Sequence, residues 1–427
     1  MANNGNKNHP VRTLSVENFS VITTRAVVEF GRITVLIGPQ STGKSLLCKL
    51  SFFFTDLVSM ASECIVEGIS LDDFRKQVKR EFKAWFPLEG WGPKKFSIQF
   101  AMGKFTASFL RTEYMDSIGD DFRITLSQDF NDAYNEAYSA VKKLREGRPE
   151  TESWRAHSTA YDMIERPFSN GESFRQWYIP AGRSFFTTLG KASTAFQSGL
   201  LDPLTTRFGS LFTSLLEQRS FARRERTKEI SEFEEISQHL LGGRIKTSRN
   251  EVSFETSDGR ELPLRFLSSG IQELVPLMLT LSWFLYVSGH TKTAGWTLYI
   301  EEPEAHLFPE TQNQLVRILA LLSFSPSSWV ITTHSPYILT AFNNLILAGQ
   351  LARDKPKMKE EIAGIIPEKY WIGGGGFKAY CIHDGMLSSI ISESGLIDGE
   401  YLDSVSNTIG DEFDSLLKLE YHHANAT

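Results

Sequence analysis

Cysteine is scarce: Cys48, Cys64 and Cys381 are the three in a chain of 427 residues. They stand far apart and none share a C-x-x-C spacing, so neither a disulfide framework nor a zinc site is indicated and a reducing cytoplasm fits. Charge of one sign is not in excess. The formal net charge of −6 is too mild to mark a nucleic-acid binder or to exclude a local basic groove. Long apolar runs are missing too. The most apolar stretch, Leu274 to Val287, falls short of the roughly 20 residues a bilayer span needs and contains Pro276, so it reads as a buried helix and no membrane association is expected. The N-terminal MANNGNKNHPVRT lacks the apolar core of an export signal, and no repeat or low-complexity tract is visible.

Phenylalanine, by contrast, is plentiful, at 31 residues, in an otherwise ordinary globular composition with ample material for a core. The chain opens with strand patterns: Leu14 to Ile22 alternates, Ala26 to Phe30 is β-rich, and Ile33 to Ile37 is a continuous apolar run of the kind that suits a buried parallel strand. Lys94 to Thr112 predicts a hairpin turning at Gly103. From Asp116 the character changes to charged helical segments (Asp132 to Gly147, Trp154 to Phe168), broken by a strand at Trp177 to Gly182 and followed by more helix from Phe185 to Leu241. The run Phe221 to Glu235 mixes signs, with Arg223, Arg224, Arg226 and Lys228 clustered, and reads as a solvated helix face. A hairpin turned at Asp258-Gly259 then leads into the buried helix, and two further strand–turn–helix units follow. The expected organisation is an N-terminal lobe over 1–112, a large mostly helical insertion over 113–242 whose strand near 177–181 returns to the main sheet, and a C-terminal lobe over 243–427.

Four motifs carry the chemistry. GPQSTGKS (Gly38, Pro39, Gln40, Ser41, Thr42, Gly43, Lys44, Ser45), followed by Leu46, matches G-x-x-x-x-G-K-[ST] between a predicted strand and helix. Its glycines let the loop curl so that backbone N–H groups and the helix N-terminus face phosphates. Lys44 is expected on the β- and γ-phosphates and Ser45 on Mg²⁺. YIEEPEAHLFP ends an apolar strand in Glu301, a candidate metal carboxylate, and Glu302, a candidate general base. LSSGIQEL opens a helix with Ser268, Ser269 and Gly270, a second anion-reading turn; since the P-loop already serves the chain's own phosphates, this turn is expected to serve the nucleotide of a second copy. His334, in TTHSPY, is a candidate to touch the γ-phosphate or the attacking water.

In this order the motifs resemble the Walker A, signature, Walker B with D-loop, and switch-histidine motifs of the ABC/SMC-like P-loop ATPases. Within them, IEEPEAHLFP and YIPAGRSFF resemble the AAA-15 type related to OLD nucleases and to ATPase subunits of anti-phage systems, nearest to that of the PARIS system and next to that of Septu. The resemblance implies an α/β P-loop NTPase head of ABC type with ATP and Mg²⁺ as ligands. It also implies paired heads in which Ser268 and Gly270 read the partner's γ-phosphate, Ala305 and His306 lie between the sites, and His334 is the switch. The signature departs from LSGGQ. Gln99 is a candidate glutamine-loop residue, with a plain strand position as its other reading. Arg183 points either to the nucleotide or dimer interface, or to a surface salt bridge. OLD relatives that cut DNA carry a Toprim domain; the acids after Tyr337 (Asp384, Glu393, Asp398, Glu400, Asp403, Asp411, Glu412, Asp414) read as helix faces without a metal pattern. A nuclease, Toprim or HNH, is therefore expected on a separate effector chain. The leading expectation is a cytoplasmic ATP-driven sensor or scaffold holding such an effector. The alternative is a RecF/SMC-like ATPase that clamps DNA, and a transporter head is disfavoured.

Overall fold

The computed structural model describes residues 12–92, 95–112, 122–147, 153–168, 175–189, 201–217, 228–247, 252–290, 295–323, 327–373 and 376–398. The polar N-terminus, Arg223, Arg224 and Arg226, the middle of the glycine run, and the acidic segment from Glu400 with the tail at His422 lie outside them.

Two sheets share the helix that follows the glycine-rich loop. The first is antiparallel, built from β1 (Arg12–Glu17), β2 (Ala26–Phe30), β4 (Phe96–Met102), β5 (Phe105–Arg111) and β6 (Arg123–Leu126) in the order β2-β1-β4-β5-β6. The second contains β3 (Ile33–Ile37), β7 (Gln176–Ile179), β11 (Thr297–Glu301), β12 (Ser328–Thr333), β13 (Phe377–His383) and β14 (Met386–Ser389), ordered β14-β13-β3-β12-β11-β7. All its strands run parallel except β14. A meander of β8 (Gly243–Thr247), β9 (Val252–Thr256) and β10 (Glu261–Pro263) stands apart. Its second turn is at Asp258-Gly259, where Gly259 takes the positive φ such a turn requires. Asp384, expected on a helix face, instead sits in the β13–β14 turn with φ 50°.

The continuous apolar runs follow from burial on both faces. Leu36, Tyr299 and Val330 pack into one core, with α1 (Lys44–Glu67) and the antiparallel sheet; Val35, Leu298, Ile300, Trp329 and Ile331 pack into the other. Successive strand residues point to opposite sides, so a strand between two cores needs apolar residues at every position. Among the described residues two helices, α1 and α9 (Ser269–His290), are long and apolar enough to cross a membrane. Burial against protein accounts for that apolarity, with α1 between the sheets and α9 in the second core.

The phenylalanine content is concentrated in the first core. Phe82, on α2 (Leu71–Trp85), has its ring centroid 4.8 Å from that of Phe86, 5.0 Å from Phe109, 5.2 Å from Phe122, 5.4 Å from Phe53 and 5.5 Å from Trp91. Most meet tilted or edge-on, the geometry that aromatic quadrupoles favour. The stretch read as an insertion adds to this core. β6 extends the antiparallel sheet past residue 112, and Phe130, Tyr134, Ala156 and Ile164 from α3 (Gln128–Gly147), α4 (Ser153–Ala160) and the π turn after it join the same cluster. A short helix, α5 (Arg166–Phe168), closes this group. Next in the chain, α6 (Ser184–Leu189), α7 (Pro203–Glu217) and α8 (Lys228–Leu241) contribute Phe186, Phe208, Phe212 and Phe233 to the second core, with α10 (Pro309–Leu322) and α11 (Pro336–Asp354). Among the described residues the helix farthest along the chain, α12 (Lys359–Ile365), buries Ile362.

All three cysteines are free, Cys48 and Cys64 buried. Burial raises the pKa of all three thiols, Cys64 to about 11. Because these folded values lie above the free one, the stability the neutral thiols contribute is present at neutral pH and is lost as pH rises past the free-thiol range. Alkylation needs the thiolate. Iodoacetamide labelling of native protein followed by mass spectrometry is expected to find Cys64 nearly inert at pH 8, reacting about tenfold faster per pH unit above it. Labelling at pH 8 as fast as a free peptide thiol would refute this.

Candidate functional site

Parallel pairing in register brings the motifs together. Ile37 pairs with Thr333 of β12 and Cys381 of β13, Glu301 pairs with Thr332, and Ile300 pairs with Ile179 of β7. The residues that follow each strand, Gly38, His334, Glu302 and the Pro180–Arg183 turn, therefore lie along the carboxyl edge of one sheet. In open parallel sheets this is where ligands bind.

The loop after β3 is shaped by its glycines. A Cβ on Gly38, whose φ is 157°, would come within 2.2 Å of the Ile382 carbonyl oxygen, and one on Gly43, with φ 106°, within 2.8 Å of Ile22. Ser41 is left-handed as well, with φ 60°, and Thr42 Oγ1 donates to the Pro39 carbonyl at 2.9 Å. Pro39, Gln40 and Ser41 are exposed, while Thr42, Gly43, Ser45 and Leu46 are partly buried. α1 starts at Lys44 with Gly43 as its cap and no side chain bonded to its first N–H groups, which is the anion-binding arrangement of a helix N-terminus.

Lys44 is buried, and its Nζ donates to the carbonyls of Gly38 at 2.8 Å and Pro39 at 2.7 Å. Burial lowers its pKa, and the carboxylates of Glu302 and Glu304 oppose that shift. Its third contact is His334 Nδ1 at 3.4 Å, and His334 Nε2 lies 3.0 Å from Glu302 Oε1. An ammonium can only donate, so Nδ1 accepts from it and the imidazole proton sits on Nε2, donating to the carboxylate. Lys44, His334 and Glu302 thus form one hydrogen-bonded row.

Glu301 is buried; its Oε2 accepts from the Ala181 backbone N–H at 3.2 Å, and its Oε1 is buried without a protein partner. An anionic oxygen left unpaired in that way suits a hard cation. Among the described residues no group of three or more His, Cys, Asp or Glu side chains could hold a metal by itself.

Two further residues complete the site: Glu304, which was not singled out from sequence, and Arg183, for which a place by the nucleotide and a surface salt bridge were both left open. Glu304 is buried and uses one oxygen, Oε1, to accept from Thr333 Oγ1 at 2.6 Å and from the His334 backbone N–H at 2.8 Å, so it fixes where the histidine leaves β12. The third acid of EEPE was the available signal. Arg183 is neither at the surface nor in a surface salt bridge: it is fully buried, donating to the carbonyls of Glu301 at 2.9 Å and of Glu302 and Pro303 at 3.3 Å.

Ser268 and Ser269 are exposed at the start of α9. A Cβ on Gly270 would meet the His306 carbonyl at 2.9 Å, so the signature turn and the loop of Ala305 and His306 touch within one chain. The structure does not bring Gln99 to the site residues by any contact. It lies on the exposed face of β4, paired with Ser15 and Ser108.

A family profile described as the AAA ATPase domain (AAA_15) matches residues 206–339. No curated protein matches the chain. Among solved structures the chain is similar to an SMC head bound to the C-winged helix domain of ScpA, at 12% identity and TM-score 0.42 over 89% of this chain and 97% of that one. It is also similar to the SMC head domain from Thermotoga maritima, at 12% identity and TM-score 0.39 over 90% and 99%. A third is the Smc head with an extended coiled coil from Pyrococcus furiosus, bound to the C-terminal domain of ScpA, at 12% identity and TM-score 0.40 over 94% and 99%. The fold is α/β, with a mostly parallel sheet that carries the glycine-rich loop between β3 and α1.

Glu304→Ala is expected to lower stability by about 1–3 kcal/mol, the cost of leaving the Thr333 hydroxyl and the His334 N–H unpaired in a buried place. Denaturant unfolding checks it, and an unchanged midpoint would mean that these two donors find other partners.

Proposed function

We propose that the protein binds and hydrolyses ATP as a pair of sandwiched heads, and that it serves as the sensor or scaffold subunit of a cytoplasmic anti-phage complex, holding a separate effector protein. The observation that carries the ATPase reading is the row Lys44–His334–Glu302 at the mouth of the glycine-rich loop. ATP enters with its phosphates on the loop amides and the α1 N-terminus, and the Lys44 ammonium sits against the β- and γ-phosphates. Ser45 and Glu301 would hold Mg²⁺, which supplies neutralisation of charge on the phosphate oxygens. A water oxygen bonds to the γ-phosphorus as the bond from that phosphorus to the bridging oxygen of ADP breaks. Glu302 takes the proton the water loses, and the His334 Nε2–H holds that carboxylate in place. Phosphate and ADP are the products.

Pairing is supported by the exposed Ser268 and Ser269, which open a helix with free hydroxyls that suit the γ-phosphate of a second copy. Exposed aromatic residues border the same motifs: Phe266 precedes the signature, Phe308 follows the His306 loop and Tyr337 follows His334. The anti-phage role and the nuclease effector rest on the likeness of IEEPEAHLFP and YIPAGRSFF to that ATPase type. The second reading, a DNA clamp, is favoured by one feature: Arg75, Lys76, Lys79 and Arg123 line a cleft of about 300 Å³ between α2 and β6.

Lys44→Ala is expected to abolish ATP binding. Glu302→Gln should keep binding, lower phosphate release by about 10²- to 10⁴-fold, and accumulate an ATP-bound oligomer. Phosphate release and native mass of the protein purified from its operon check both. A stoichiometric second protein on that oligomer supports the scaffold, whereas protein alone that shifts duplex DNA with steep salt dependence supports the clamp. Equal turnover by wild type and Glu302→Gln would sink the assignment of the base.

A further inference from the structure

Arg183 lies in the turn that follows β7, and none of its side chain is exposed. Its Nε donates to the Glu273 carbonyl at 2.9 Å, Nη1 to the carbonyls of Pro180 at 3.2 Å and Glu301 at 2.9 Å, and Nη2 to those of Glu302 and Pro303, both at 3.3 Å. A guanidinium has five N–H groups in a fixed plane, and each of them is taken by a backbone oxygen. The charge is met by Glu273 on α9, whose Oε2 is 3.5 Å from Nε and whose Oε1 accepts from the Ser184 N–H at 3.3 Å.

We infer that Arg183 is a positioning residue: it holds the backbone of Glu301, Glu302 and Pro303 so that the Glu302 carboxylate meets His334, and through Glu273 it ties that turn to the helix opened by Ser268–Gly270. The inference rests on the ATP-hydrolysing reading of the site. Glu302 is left-handed, with φ 42°, a conformation that costs a residue with a side chain and persists only when its surroundings over-determine it. Here its N–H donates to the Thr332 carbonyl at 2.9 Å while its own carbonyl accepts from Arg183. One peptide on each side of the Glu302 Cα is therefore pinned, and the direction of the side chain follows. Lysine offers three donors from a single point and no plane, so it cannot span the oxygens of both strand ends. The link to α9 gives the arrangement a second meaning. The turn that activates water on the chain's own nucleotide and the turn proposed to read the partner's nucleotide are fastened to one buried cation.

The test is steady-state ATP hydrolysis by wild type, Arg183→Lys, Glu302→Gln and the double variant, with rates expressed per folded molecule from thermal unfolding and nucleotide titration. Arg183→Lys is expected to lower kcat by about 10- to 100-fold, as misplacement on the ångström scale does, with KM for ATP within about threefold. In the Glu302→Gln background the same change is expected to cost less than about twofold, because residues acting as a unit are not additive. A purely structural arginine would lower the folded fraction and leave kcat per folded molecule unchanged, which overturns the inference. An equal loss in the Glu302→Gln background overturns it as well, since Arg183 would then act on something else. Should Arg183→Lys not accumulate as folded protein, Glu273→Gln leaves the arginine in place and removes its charge partner; a severalfold lower kcat with KM kept supports the inference, and an unchanged kcat overturns it. A wild type that binds ATP without turning it over overturns the hydrolytic reading and the inference together, so the two failures are told apart by the first sample.

Discussion

The site depends on the in-register parallel pairing of four strands. Once Ile37 pairs with Thr333, Thr332 with Glu301, and Ile300 with Ile179, the places where β3, β12, β11 and β7 leave the sheet are fixed relative to each other by backbone hydrogen bonds alone. A slip of one residue in any pair would turn every side chain of that strand to the other face. Here both faces are buried, by α1 on one side and by α9, α10 and α11 on the other, so a slip would exchange the contents of two packed cores. Register is thus enforced by apolar burial, and the polar chemistry at the strand ends inherits its geometry from that enforcement.

What remains for the polar groups is to resolve the electrostatics at this edge. Glu301, Glu302 and Glu304 converge within a few residues, two of them buried, and like charges in a poorly solvated place raise one another's energy unless cations are near. Two are. Lys44 faces the row from the loop side, and Arg183 lies beneath the turn, where burial lowers its pKa and Glu273, Glu304, Glu302 and Glu301 oppose that shift. Neither cation does this by pairing with Glu302 directly: Lys44 reaches it through His334, and Arg183 through backbone carbonyls. The carboxylate is left with one donor, His334 Nε2, and about a third of its side chain exposed, which leaves room for a water to approach it. A direct ion pair would have consumed the base.

The sequence made some of this legible and not the rest, for reasons of range. The glycine-rich loop was readable because its constraint is local: Gly38 and Gly43 stand where φ and neighbouring atoms exclude a side chain, and the strand before and helix after them follow from periodicity. Glu301, Glu302 and His334 were readable in the same way, as polar residues that end apolar strands. Arg183 was seen, with two readings left open. Apart from Pro180 in its own turn, its partners are about a hundred residues away in sequence, and nothing in YIPAGRS says that four of its five donors will be spent on carbonyls from two other segments. Glu304 was passed over because an acid three residues beyond a strand reads as solvated loop until β12 is known to lie alongside it. β6 escaped because four residues of alternating exposure carry little signal, and a helical reading of the whole stretch from Asp116 absorbed them.

The edge of the sheet is uneven in what it exposes, which bears on the proposed pairing of two copies. Of the anion-reading elements, the glycines of the glycine-rich loop lie close against neighbours, Gly38 against Ile382 and Gly43 against Ile22, whereas Ser268 and Ser269 at the start of α9 are exposed. A helix N-terminus with exposed hydroxyls is stable in water, so its exposure alone costs little. The aromatic residues beside it are different: Phe266 is 67% exposed and Phe308 75%, while among the described residues every other phenylalanine except Phe185 is buried. Exposed rings adjoining a polar turn resemble the composition of an interface core more than that of a solvated surface. Because Gly270 packs on His306, any movement of the signature turn on meeting a partner would press on the loop that leads directly out of the Glu302 turn, and the Arg183–Glu273 contact ties the two from beneath. Two independent connections between the same pair of elements leave them little freedom to move separately, so occupancy of one copy's nucleotide would bear on the carboxylate that acts in the other.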